Sequence, residues 1–219
     1  MHIYTKNGKE YPSVTTILDC LGQKEIIKWA NWLGFRHIDY ETELNERADF
    51  GTKVHDVLRS VVDDSYSSVL SYKNPLEMMA INKIKNRFIN MMKPYRYETI
   101  ATEMPIISES LGYAGTLDWL AKFNGKYLFL NDFKTSKAAR FKHLLQMGGY
   151  RNILVEQGYR LDGANIIIVN RDYCDIYTIG KNELSIYGEA FNYLAKYFIM
   201  KESITMEQNM NAKKLLGGN

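Results

Sequence analysis

The stretch Gly125–Lys137, GKYLFLNDFKTSK, decides how this chain is read. A hydrophobic run, Tyr127 to Leu130, ends on an acid, one aromatic residue and a lysine. In a strand alternate side chains share a face. Asp132 and Lys134 are therefore expected on one face, with Phe133 turned to the other and into the core. A cross-face ion pair at a strand end is the plain reading. A metal-binding carboxylate beside a catalytic ammonium is the chemically sharper one, and an acid–x–Lys triplet alone does not choose between them.

Upstream, Asn124–Gly125 is a strong hairpin signal. It joins an expected strand over 112–123 to one over 126–133. Counted from that turn, Asp118 and Asp132 fall almost opposite each other at the far end of the hairpin. Two carboxylates so placed repel unless a cation lies between them, and hard oxygen donors suit Mg²⁺ or Mn²⁺. Glu103 lies on a further expected strand, 97–107, with Pro105 near its end. Downstream, 138–156 has amphipathic helical spacing and puts Gln146 and Tyr150 on one face. Two more strands follow, 164–170 and 174–179. A last helix, from Asn182 to about Met200, turns Leu184, Tyr187, Phe191, Leu194 and Phe198 inward.

The amino-terminal part reads as mainly helical. Asn7–Gly8 suggests a small hairpin. Pro12 and Ser13 open a short helix carrying Val14, Ile17 and Leu18. Helices are expected over 24–33, stopping near Gly34, and within 41–62, with Val54, Val57, Leu58 and Val61 inward. After a polar loop, 65–74, Pro75 starts a helix through Ile81, Ile84, Phe88 and Met91. The order of elements predicts an α/β chain of the α+β kind: a central mixed five-stranded sheet flanked by helices. With no repeat and no Gly/Ser linker, residues 1–207 read as one domain. Residues 1–95 are its helical section, 96–200 its core, and 208–219 a loose tail.

Bulk properties set limits. The chain has 219 residues and a net charge of +3, which neither requires nor excludes a nucleic-acid partner. Two cysteines, Cys20 and Cys174, cannot supply the four thiolates of an iron–sulfur cluster or of a structural zinc site. MHIYTKNGKEY has no signal-peptide character and no apolar run approaches a membrane span, so an intracellular, cytoplasmic protein without a membrane partner is expected.

Several residues carry a plain and a sharp reading side by side. His55, in GTKVH, sits on an apolar helical stripe, where core and surface histidines outnumber ligands. Gln146 and Tyr150 can be a helix surface pair. Lys137, Arg140, Lys142 and His143 can be a solvated face or a phosphate contact at helix first turns, with Lys137 favoured. Trp29 and Trp32 read as core packing before base stacking, and Met78, Met79, Met91 and Met92 as packing residues.

Taken together, GTKVH (51–55), Glu103, GTLD (115–118), DFKT (132–135) and QMGGY (146–150) resemble the PD-(D/E)XK nuclease superfamily. More narrowly, the set is similar to its RecB-like exonuclease branch, which includes CRISPR adaptation nucleases and the mitochondrial genome maintenance exonuclease. YPSVTTIL (11–18), followed by a tryptophan-bearing helix, resembles the phage-type members. The resemblance implies a restriction-endonuclease-like core. Asp118 and Asp132 would be metal ligands, with nitrogen from His55 and the Phe133 carbonyl. Lys134 would be the catalytic lysine, and Glu103 would orient it or a water, or touch a second metal. Gln146, Tyr150, Thr135 and Lys137 would contact DNA. Mg²⁺ or Mn²⁺ would be the cofactor, with no iron–sulfur cluster. One departure is Phe50, where relatives often carry arginine; Arg47 is the expected substitute.

The implied function is a metal-dependent DNA exonuclease acting on single strands or duplex ends in phage recombination or replication. Its partners would be DNA and a recombination or single-strand-binding protein, and a phage-encoded copy would work in the host cytoplasm. The alternatives are a structure-specific endonuclease of the same fold and a non-catalytic DNA-binding recombination partner.

Overall fold

The first turn forms as its dipeptide demands: Asn7 and Gly8 both have positive φ, 53° and 74°. They join β1 (Ile3–Lys6) to β2 (Lys9–Pro12) as an antiparallel hairpin. The computed structural model describes residues 3–22 and 24–215. Ser13 caps α1 (Val14–Leu18), its hydroxyl accepting the Thr16 N–H at 2.9 Å. Then come α2 (Lys24–Phe35), α3 (Tyr40–Val62), capped by Asp39, and α4 (Pro75–Met92), capped by Asn74 with proline in its first turn.

Five strands make the central sheet: β3 (Tyr97–Ser108), β4 (Tyr113–Phe123), β5 (Tyr127–Lys134), β6 (Gly163–Val169) and β7 (Cys174–Gly180), in that spatial order. Asn124 and Gly125, again both at positive φ, close the β4–β5 turn. The β5–β6 pairing is parallel and the other three are antiparallel. That one parallel step requires a crossover, supplied by α5 (Phe141–Glu156). A long helix, α6 (Lys181–Leu215), ends the described chain. The fold is thus α+β with a mixed five-stranded sheet between helices, as the order of elements predicted.

Each sheet face has its own core. Leu117, Leu120, Leu130, Ile166 and Ile168 pack with α1, α5 and α6 through Val14, Leu145, Ile153 and Phe191. Trp119, Ala121, Phe133, Ile167 and Val169 pack on α3 and α4 through Val54, Leu58, Ile84 and Phe88. Neighbours such as Ile166 and Ile167 serve opposite faces, which is why β6 is buried along its whole length. The terminal hairpin buttresses β4: Tyr4 Oη lies 2.9 Å from Thr116 Oγ1, and Ser13 bridges to Ala114.

Glycines bring α5 against α6. A β-carbon on Gly148 would fall 2.3 Å from the Tyr187 carbonyl carbon, and one on Gly188 would meet the Asn152 side chain. Asn152 Nδ2 donates to the Gly188 carbonyl at 2.7 Å. The paired glycines of QMGGY therefore serve helix packing.

Several expectations change. α2 continues through Gly34 to Phe35, and among its described side chains Leu33 alone is buried. Trp32 is 46% exposed and Trp29 half-buried, so neither is core; each has an arginine over its ring, Arg36 and Arg47. Met78 and Met79 face solvent, whereas Met92 is buried. Val62 rather than Val61 closes the α3 stripe. α5 starts at Phe141, so Lys137 precedes the helix. α6 passes Met200 because KESITMEQNMNAKKL contains neither glycine nor proline. Residues 208–215, expected as loose tail, are its last turns; 216–219 lie outside the described residues. Among the described residues no helix is long and apolar enough to cross a membrane.

The Gly148 contact is backbone against backbone and has no side chain to yield. Gly148→Ala should cost about 2–3 kcal/mol of stability, read as a lower urea midpoint; Gly125→Ala, in an open turn, serves as the control for a purely conformational cost.

Candidate metal centre

Three neighbouring strands bring one acid each to the same level. Thr102 pairs with Trp119 and Met104 with Leu117, which sets Glu103 across from Asp118. The β4–β5 ladder ends at Trp119–Asn131, and Asp132 comes next beside Asp118. The ladder stops because the Asp118 carboxylate takes the place of a backbone acceptor: the Phe133 N–H donates to its Oδ2 at 2.7 Å. A strand residue's N–H and C=O project to the same edge, so the Phe133 carbonyl also lies on the side where the ladder has ended.

The pleat changes phase along this row. Leu117 belongs to the α5–α6 face and Trp119 to the α3–α4 face, although they are two residues apart. On β3, Met104 packs on the first face, while Thr102 binds Arg59 and Asp63 of the α3 segment. Glu103 sits at the break with φ 46°, left-handed backbone in a non-glycine residue. Such a conformation costs on the order of 1 kcal/mol or more. Burial pushes the Glu103 carboxyl above its usual range, with His55 and Arg59 opposing the rise.

His55 arrives from α3, which the buried Val54 and Leu58 anchor to the sheet. Its Nδ1 is 3.4 Å from Asp118 Oδ2. Its ring meets Phe133 edge-on at 5.9 Å, and Phe133 lies parallel to Trp119 at 6.2 Å. Turning Phe133 to this face thus seats the imidazole beside Asp118. A β-carbon on Gly51, one turn earlier, would lie 3.6 Å from Thr135 Oγ1 at the exit of β5.

Asp132 and Lys134 share the opposite face, as strand alternation requires. Asp132 is 1% exposed, and its Oδ2 lies 2.6 Å from Lys134 Nζ. That oxygen accepts no well-directed hydrogen bond. Oδ1 accepts from Gln146 Nε2 at 3.3 Å, and the same nitrogen donates to Tyr150 Oη at 3.0 Å. Gln146 and Tyr150 are therefore buried supports of Asp132, not a surface pair. Tyr150 lies on Gly115, where a β-carbon would fall 2.4 Å from its ring. GTLD and QMGGY need each other for this reason. Burial pushes the Asp132 carboxyl up, helped by Asp118 and opposed by Lys134. Burial pulls Lys134 down, but Asp132 and Asp118 outweigh it and hold the ammonium above its usual range.

His55, Glu103 and Asp118 each offer a ligand atom, all within 4.8 Å of one another. One imidazole nitrogen and two carboxylates at that spacing can hold a metal ion. Glu103, expected to orient Lys134 or serve a second ion, belongs to this same cluster. Asp132, expected as a ligand with Asp118, stands just outside it, held by Lys134 and Gln146. Its buried, poorly satisfied Oδ2 fits a further cation contact beside the three donors.

The remaining expected residues are spread around this centre. Thr135 is half-buried beside Gly51, and Lys137 is exposed with its carbonyl accepting from Tyr173 Oη. His143 is no part of a basic patch: burial, with Lys134, Arg140 and Lys142 adding to it and Asp132 opposing, pulls its pKa down to about 4. Its Nδ1 accepts the Arg140 N–H at 3.3 Å, at the start of α5. Lys142 pairs with Asp19 at 2.8 Å. Arg47 is bound to Glu43 and stacked on Trp29, so it does not stand in for the arginine missing at Phe50; Arg171 instead lays its guanidinium 4.7 Å from the Phe50 ring.

Sequence reasoning missed Arg59. It lies one helical turn after His55, in the wall of a cleft between α3 and the segment 69–73 whose lining includes His55, Glu103, Leu70 and Tyr72. The i, i+4 spacing on the His55 face was the available signal.

The sequence matches no known protein family and no curated protein. Among solved structures, one described as the crystal structure of SSO0001 superposes with a TM-score of 0.47 at 16% identity, covering 91% of this chain and 78% of that one.

Removing one member of the buried ion pair leaves the other uncompensated. Lys134→Met should destabilise the metal-free protein by about 3 kcal/mol, and adding Asp132→Asn should restore most of the loss. Denaturant unfolding in EDTA of the two single variants and the double variant measures the coupling. Additive losses would show that the pair carries none.

Proposed function

We propose that this chain is a divalent-cation-dependent nuclease of the PD-(D/E)XK kind that hydrolyses DNA phosphodiesters. The observation that carries the reading is the row Glu103–Asp118–Asp132 across three adjacent strands, with Lys134 beside Asp132 and His55 delivered from α3. This constellation agrees in order and spacing with the motifs the resemblance rests on. Each of its members has a job in that chemistry.

An ion held by His55, Glu103 and Asp118, with Asp132 alongside, supplies charge that polarises a phosphodiester and makes water a better nucleophile. Mg²⁺ or Mn²⁺ fits a donor set dominated by carboxylate oxygen. The protein's own part is positional and electrostatic. Lys134 brings a fixed positive charge to the rim of the row, where negative charge grows on the scissile phosphate. Gln146 fixes the Asp132 carboxylate and Tyr150 fixes Gln146. Phe133 fixes the tilt of His55. The Asp118 Oδ2 that lies beside His55 also accepts the Phe133 N–H, so the β5 backbone holds the carboxylate in place.

Binding is mainly to backbone phosphates, hence salt-sensitive and weak in sequence preference. Exonuclease action on single strands or duplex ends, in recombination or replication inside the cell, follows from the resemblance.

End-labelled linear and covalently closed circular DNA, with Mg²⁺ against EDTA, tests the reading. We expect cation-dependent loss of the linear substrate. Asp132→Asn and Lys134→Ala should each lower turnover by at least about 100-fold, and Lys134→Ala should keep DNA affinity in a gel shift. Wild-type cleavage by Lys134→Ala would overturn the role given to the lysine. DNA binding without cleavage in either divalent cation would point to a non-catalytic DNA-binding protein.

A further inference from the structure

α6 carries two apolar stripes. The first, Leu184, Gly188, Phe191, Ala195 and Phe198, is buried against α5 and the sheet. The second runs along the opposite side: Ile186, Ala190, Tyr193, Tyr197, Met200 and Ile204. Its five large members are exposed by 64%, 66%, 57%, 63% and 51% in that order. They face away from the chain's own core, and no element among the described residues covers them.

The spacing of this second stripe is 4-3-4-3-4, the alternation of the two seam positions of a paired helix. A surface helix needs one apolar face, and the first stripe already supplies it. A second stripe kept in heptad register over three turns or more is what another helix would fill. Charge narrows the partner. From Lys181 to Gln208 the helix carries three lysines (181, 196, 201) against four glutamates (183, 189, 202, 207). That balance offers nothing to a polyanion, which excludes nucleic acid or an anionic lipid surface as the occupant.

We propose that this stripe is the seam of a homodimer, in which α6 pairs antiparallel with α6 of a second copy. The spacing reads the same in both directions about residue 195, so an end-for-end copy meets it in register. Ile186 then faces the partner's Ile204, Ala190 the partner's Met200, and Tyr193 the partner's Tyr197. The smallest side chain meets the longest, and the two tyrosines meet each other. Such a contact is isologous and closed, as most homodimers are. It would bury on the order of 1,000 Å², near the lower bound for a specific interface. In this register Lys196 of each copy flanks the twofold axis and faces its own counterpart; a parallel pairing would set it against Lys201 instead.

Sedimentation velocity over a micromolar concentration range is the first measurement, and a reversible dimer is expected. Tyr193→Glu/Tyr197→Glu should raise the dissociation constant at least about 100-fold. Both positions are exposed, so far-UV circular dichroism should match the wild type. A mixture of wild type and Lys196→Glu then reads the orientation: mixed dimers should exceed the statistical half, while Lys196→Glu alone gains nothing. A wild-type chain monomeric throughout, or a dimer indifferent to the double variant, overturns the proposal. A Lys196→Glu homodimer tighter than the wild type, without mixed-dimer enrichment, overturns the antiparallel arrangement.

Discussion

The hydrogen bond from the Phe133 N–H to the Asp118 carboxylate is the contact on which the site is built. A backbone acceptor there would let β4 and β5 continue their ladder. A side-chain acceptor ends it. β5 leaves β4 at that level while still pairing with β6 through Lys134–Ile168. The divergence opens the sheet where Asp118 and Asp132 stand side by side. Strand alternation then sends Asp132 and Lys134 to one face and Phe133 to the other, so one short segment organises both.

Each face answers with its own support. On the α5 side the problem is a buried carboxylate, which is costly unless paired and hydrogen-bonded. Lys134, Gln146 and Tyr150 meet it in sequence, and Gly115 gives Tyr150 the room to do so. On the α3 side the problem is aiming one imidazole. Trp119, Phe133 and Phe88 form an aromatic wedge, and His55 rests on its edge. Polar precision on one side and apolar precision on the other converge on a space a few ångströms wide.

Much of this was legible in the sequence. The Asn–Gly turns define two hairpins, and counting outward from Asn124–Gly125 is enough to set Asp118 against Asp132. The positions of Gln146 and Tyr150 were legible too, but their burial was not, because polar residues four apart look the same on a wet or a dry helix face. Trp29 and Trp32 misled for the converse reason: aromatic composition suggests a core, yet α2 lies on the surface with arginines over its rings. The ligand grouping was least accessible. That Glu103 joins His55 and Asp118 depends on a phase change in the pleat, and a left-handed glutamate leaves no trace in residue pattern. The extent of α6 was underestimated because its exposed stripe weakens the amphipathic contrast by which helix ends are judged.

Glu103 also bears on how such a protein is tuned. At φ 46° the residue that folds most easily is glycine, which has no β-carbon to crowd the backbone. Glycine there would relax the strand and delete a donor at a stroke. The chain is therefore not at its thermodynamic optimum at this position. A search for hardier variants that ranks substitutions by fold stability alone would be drawn to position 103, and would remove one member of the candidate metal centre for the sake of the melting point.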